Sequence, residues 1–252
     1  MILQKRRRTV SDKLPEYFEL LKSRFPEYEG DAIIIASIGA KINHHPADSD
    51  DHTAVVVNQC RVAWEILNSI DCLAGYDYGL GAMSLCRNLF ELVVGTIFLI
   101  ENADKLQDFL DYGKTIAYEL AEAMGADQKY LAAFKQKADY DRLKKYFDKE
   151  KWHRKSVRGL AEAVGMQKLY GSSYKEASSI AHGDSFVTLG FHDGHWQLSK
   201  DVRCWTHYCE TSLIFSFLLI ANLYHRTVHK LRLPYASEIQ AMMGRLTQRG
   251  LL

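Results

Sequence analysis

The stretch Ala82–Ile100, AMSLCRNLFELVVGTIFLI, is apolar on nearly every side, which marks a central helix covered by other elements rather than one with a wet face. A chain holding such a helix must supply several more around it, so the fold class expected is all-α: a single-domain helical bundle. The same stretch carries Arg87 and Glu91, one helical turn apart and therefore neighbours on one side. Stripping either side chain of water costs several kcal/mol, so both are rarely buried unless paired. The sequence thus predicts an Arg87–Glu91 pair within the core. That pair serves either as a bridge fixing helix register or as a site residue held in place by its carboxylate neighbour.

Bulk properties exclude several function classes. The 252 residues are 47% hydrophobic and 25% charged with a net charge of +1, so neither disorder nor a global drive toward nucleic acid or anionic membrane is expected. Five cysteines (Cys60, Cys72, Cys86, Cys204, Cys209) form no C-x-x-C motif, and no apolar signal region follows the basic start MILQKRRRTVSDK. The longest apolar run, Ser212 to Leu223, is short of a bilayer span. A cytoplasmic protein with reduced thiols and no membrane partner is the expectation, with residues 1–10 a flexible basic terminus.

Along the chain, helices are predicted over 11–25, 31–43, 53–71, 82–100, 103–124, 127–148, 156–164, 167–182 and 201–231, with Pro234 opening a last short one. Residues 44–52, HHPADSDDH, break the series, and GYDYGLG at 75–81 reads as a hinge or loop. The 103–124 and 127–148 segments read as an antiparallel pair around Gly125, the second outermost for its charge. The one β signal lies in 186–199, where Asp193-Gly194 is a strong turn for a small β-hairpin. No repeat, linker or composition shift divides residues 1–252.

A second polar set joins the first. Tyr170, Tyr174, Ser178 and His182 are spaced by four, along one side of a helix that Gly183 is placed to stop. A helix facing an ordinary core would carry Leu or Val there, whereas two phenols, a hydroxyl and an imidazole each need a partner if buried. The simplest way to satisfy both sets is to pack the two helices side by side. His182, in the last turn, also sits where the helix dipole favours a cation.

The run A82-x-x-L85-x-R87-x-x-x-E91, then W152-H153-x-x-S156-x-R158-x-L160-A161, then Y170-x-x-x-Y174-x-x-x-S178-x-x-x-H182-G183, resembles a group of uncharacterised bacterial helical proteins known as a domain of unknown function, over roughly 55–230. The resemblance implies a cytosolic all-helical bacterial protein with those positions as its polar signature. Trp152, His153 and Arg158 thereby join Asn88, Tyr170 and Tyr174 as candidate binding residues. The chain is also distantly similar to HEPN-type helical bundles of bacterial defence and toxin systems. It departs from their arginine-to-histidine signature, since Arg203-Cys-Trp-Thr-His207 is one residue short.

Other clusters are read more simply. His44, His45, Asp48, Asp50, Asp51 and His52 are metal-capable, but a solvated acidic loop explains them, and no Glu-x-x-His occurs for a di-iron bundle. His192 and His195 flank the hairpin turn, and Lys5–Arg8 suits a frayed terminus. No phosphate loop, dinucleotide fingerprint or nucleophile elbow is present, so neither a metal nor a cofactor is expected. Two functions compete. One is an enzyme of defence or toxin type acting on RNA or a nucleotide, with Arg87 stabilising phosphate charge, His182 as acid or base, and Glu91 and Ser178 orienting them. The other is a non-catalytic interaction or sensing module, in which the same residues form a structural network and a protein partner binds elsewhere. The apolar middle SLIFSFLLIANLY suits either a homodimer contact or a second central helix.

Overall fold

The computed structural model describes residues 16–45, 50–125, 152–153, 155–182, 189–192, 195–198 and 206–251. The helices are α1 (Glu16–Arg24), α2 (Glu29–Asn43), α3 (Asp51–Gly75), α4 (Gly79–Glu101), α5 (Leu106–Ala123) and α6 (Val157–Ala163), then α8 (Thr206–Leu231) and α9 (Ala236–Leu246). Between them lies α7, a composite of Gln167–Leu169, a π-helical turn Tyr170–Tyr174, and Lys175–Ala181. The fold is all-α. Its described strands, β1 (Leu189–His192) and β2 (His195–Leu198), pair antiparallel with Leu189 opposite Leu198. The turn residues Asp193 and Gly194, the 127–148 segment and the basic terminus lie outside the described residues.

Helix α4 is the hub, packing along α8 and α3, with α7 and α6 against its remaining side. Its buried residues Ala82, Met83, Cys86, Phe90, Val93, Val94 and Ile97 recur at helical spacing. Among the described residues α4 is the one helix long and apolar enough to cross a membrane, yet 56% of that stretch is buried inside the fold, as suits a core helix. Helix α8 is more deeply enclosed: every residue from Thr211 to Ala221 is buried. The apolar middle of α8 is therefore covered within the chain, as a second central helix. Its buried hydroxyls stay satisfied locally, with Ser212 donating to the Cys209 carbonyl at 2.7 Å and Thr227 to the Leu223 carbonyl at 2.9 Å.

Helix boundaries follow local chemistry. Asp50 caps α3, accepting from the Thr53 N–H at 2.8 Å, which gives one member of the acidic 44–52 stretch a structural role. His52, expected in that loop, lies inside α3 and is buried, its Nε2 donating to the Leu99 carbonyl at 2.8 Å while Nδ1 accepts from the Lys230 ammonium at 2.8 Å. The hinge read at 75–81 shrinks to residues 76–78, because α3 runs on to Gly75 and α4 already starts at Gly79. There Asp77 adopts φ +71, an unfavourable conformation for a non-glycine. Arg24 compensates, donating to the Asp77 carboxylate at 2.8 Å and to the Gly75 carbonyl at 3.1 Å. At the far end of the chain Arg245 and Arg249 both reach Asp31 of α2, which is only 2% exposed.

Candidate functional site

The residues that meet at the site come from α4, α7 and the short Trp152–His153 segment. Tyr174 on α7 donates its hydroxyl proton to Glu91 Oε1 at 2.9 Å. Arg87 Nη2 lies 3.4 Å from the same oxygen. The Phe90 ring packs at 4.7 Å from Tyr174, and Tyr170 and Tyr174 stack at 5.1 Å. Helices α4 and α7 are thus side by side, joined by the two polar sets.

Two details differ from the expected picture. Arg87 and Glu91 do not lie in the core: their side chains are 29% and 27% exposed. An arginine can bury its stem against apolar neighbours and keep its head near water, so the edge of a core helix suits it better than the centre. Even so, Arg87 Nε is buried with no hydrogen-bond partner among the described residues. The row spaced by four is also interrupted, because the π turn at 170–174 adds rotation and shifts the phase of everything after it. Ser178 is half-buried and His182 is exposed at the end of α7, where its backbone N–H bonds to the Ser178 carbonyl at 3.0 Å. No hydrogen bond joins Arg87 to His182 among the described residues.

Burial pushes the Tyr174 phenol up, and acceptance of its proton by Glu91 pushes it further, while Arg87 pulls it down. The phenol therefore stays protonated and acts as the donor in this chain of three.

Beside the triad a cleft of about 230 Å³ opens. Glu91, Gly95 and Thr96 of α4 form one wall, Phe109 and Tyr112 of α5 another, with Gln59 of α3, Trp152 and His153 completing it. Trp152 is 7% exposed and wedged between Phe98 (6.0 Å) and Phe109 (5.2 Å, edge-on). His153 Nδ1 accepts from the Lys155 N–H at 3.1 Å, so the neutral ring carries its proton on Nε2. The cleft therefore combines a carboxylate, an imidazole donor, a side-chain amide and aromatic walls. Thr96 contributes shape more than polarity, since its hydroxyl bonds to the Leu92 carbonyl at 2.8 Å.

The remaining sequence candidates fall elsewhere. Arg158 pairs with Glu162 at 2.9 Å on the surface of α6, its side chain 71% exposed, and Asn88 is exposed on α4. Among the described residues no group of three or more metal-capable side chains is assembled. Gln59, Gly95, Phe109 and Tyr112 were not anticipated. Of these, only Gly95 left a signal: a glycine amid an apolar helix, where it weakens the helix relative to alanine.

Residues 53–196 match the model of a family of unknown function, DUF5677, and this span holds every residue lining the cleft. No characterised protein and no solved structure matches the chain.

Proposed function

We propose, for a chain that belongs to the family of unknown function DUF5677, that the cleft beside Glu91 binds a nucleotide, free or as one unit of RNA. The observation that carries this reading is the lining itself. Three aromatic side chains, Phe109, Tyr112 and Trp152, share one small concavity with an acceptor, Glu91, and a donor, His153. Bases are bound in this way, by aromatic contact with the ring and hydrogen bonds at its edge. Arg87, one turn along α4 from Glu91, supplies positive charge for a phosphate. Tyr174 and Arg87 together hold the Glu91 carboxylate in orientation.

We assign recognition to Glu91 and His153 rather than catalysis to Ser178 and His182, which do not line this cleft. The same reading places the protein in the cytoplasm, where the free thiols of Cys60, Cys72, Cys86 and Cys209 stay reduced. Isothermal titration with the four ribonucleoside monophosphates and a short single-stranded RNA tests it. Binding that weakens at least tenfold in Glu91→Gln and in His153→Ala, with helicity retained, supports the reading; no heat from any of these ligands refutes it.

A second reading is favoured by the Tyr174–Glu91–Arg87 chain: a polar network that fixes α7 against α4 in a non-catalytic interaction module. It expects Glu91→Gln to lower stability and leave every ligand measurement flat.

A further inference from the structure

His225 and His229 are spaced by four, so they share one side of α8 over its last two turns. Their ring centroids stand 4.7 Å apart, with the planes at 81°. Two imidazoles that bind one ion at about 2.1 Å each, at roughly a right angle, hold their ring centres on the order of 5 Å apart. The pair is therefore already at chelating distance. His229 is exposed and His225 half-buried, and neither ring makes a hydrogen bond or ion pair with a described residue. Other histidines are committed: both ring nitrogens of His52 are occupied, and His44 Nδ1 donates to the Ala40 carbonyl at 2.6 Å.

Local electrostatics favour a metal cation at this pair. Burial, His229 and Arg226 all hold the His225 pKa below the ordinary histidine value, so its ring stays neutral and keeps a lone pair to donate. The free carbonyls of the last turn place the negative end of the helix dipole beside His229. The adjacent cations are turned to other partners, for Arg226 Nη1 lies 3.4 Å from Glu101 of α4 and Lys230 donates to His52 of α3.

We propose that His225 and His229 form a binding site for one divalent transition-metal ion of the zinc class. No third metal-capable side chain joins them among the described residues, so water completes the coordination. Imidazole selects such borderline ions over the oxygen-seeking magnesium and calcium. The ion clips the last two turns of α8 together, beside the contacts that hold this end of α8 to α3 and α4. Since the helix sets the spacing of the ligands, the ion binds the folded chain and stabilises it. The site is independent of the nucleotide reading, because neither histidine lines the cleft.

The test is zinc titration of the untagged full chain with a reducing agent present, read by calorimetry and by thermal unfolding. Wild type is expected to bind zinc at this pair and to melt at a higher temperature as zinc is added. His225→Ala and His229→Ala each weaken that binding by roughly tenfold or more, the scale seen when even a supporting group of a metal site is lost. Both variants lose the melting shift and melt as wild type does without metal. His44→Ala, which removes an exposed histidine elsewhere, changes neither readout. Absence of zinc binding by wild type overturns the site, as does binding that survives both substitutions. An equal melting shift with calcium also overturns it, since calcium takes oxygen ligands and not imidazole.

Discussion

Tyr174 and Glu91, 83 residues apart in sequence, are joined by a hydrogen bond of 2.9 Å in which the phenol donates and the carboxylate accepts. It ties the π turn of α7 to the middle of α4, and Arg87 Nη2 lies 3.4 Å from the same carboxylate oxygen.

Tyr174→Phe is therefore expected to destabilise the protein by about 1–2 kcal/mol, the loss of a hydrogen bond to a charged acceptor at a mostly buried site. Tyr174→Phe combined with Glu91→Ala should cost less than the sum of the single changes, because each single change already breaks the bond. Urea unfolding of the four proteins measures the coupling, and strict additivity would mean that the bond contributes nothing.

Asp71 on α3 is buried with Oδ1 unpartnered, and desolvation lifts its carboxyl to about 8 from an ordinary 3.8. The folded state then holds a proton that the unfolded chain releases, so this group's stabilising effect is present in full below about pH 4 and is lost as pH rises toward about 8. Asp71→Asn removes that dependence. At pH 8 the variant should therefore melt above wild type, and the difference should shrink as pH falls toward 4. Parallel melting curves from pH 5 to 8 for both proteins would contradict this.

Burial raises the Cys60 thiol to about 12 and the Cys209 thiol to about 11, and it raises Cys86 further still, helped by neighbouring Asp71. Since the thiolate is the reactive form, Cys60 and Cys86 should resist iodoacetamide in the native protein and react fully in urea. Peptide mapping by mass spectrometry reads each site, and native labelling of Cys60 would be inconsistent with its place in the core.

Asp31 is 2% exposed and is held by Arg245 and Arg249, whose own side chains reach solvent. Removing both arginines strands a buried carboxylate, whereas removing the carboxylate leaves two cations that water can solvate. Arg245→Ala with Arg249→Ala should therefore destabilise by about 3 kcal/mol, and more than Asp31→Ala does. The reverse order in chemical denaturation would show that the arginines act by packing alone, for instance Arg249 over the Tyr28 ring at 4.6 Å.

Periodicity was enough to place the helices of the described residues and to mark α4 as central, because an all-round apolar stretch has only one stable environment. It was also enough to bring α4 and α7 together, since two unsatisfied polar sets in one bundle are most simply satisfied by each other. What the sequence could not show was phase and depth. The π turn at Tyr170–Tyr174 is a backbone event that residue spacing does not encode, and it leaves His182 exposed while Tyr174 reaches Glu91. Arg87 and Glu91 lie at the rim of the core rather than inside it, a difference of position around a helix axis that only the packing of neighbours fixes. The cleft is the clearest case. Gln59, Gly95, Phe109, Tyr112 and Trp152 come from four separate segments, and no local pattern announces a concavity. Volume left between packed elements is a property of the assembled structure, and it was the tertiary structure that placed Glu91, one member of the expected buried bridge, in the wall of an opening.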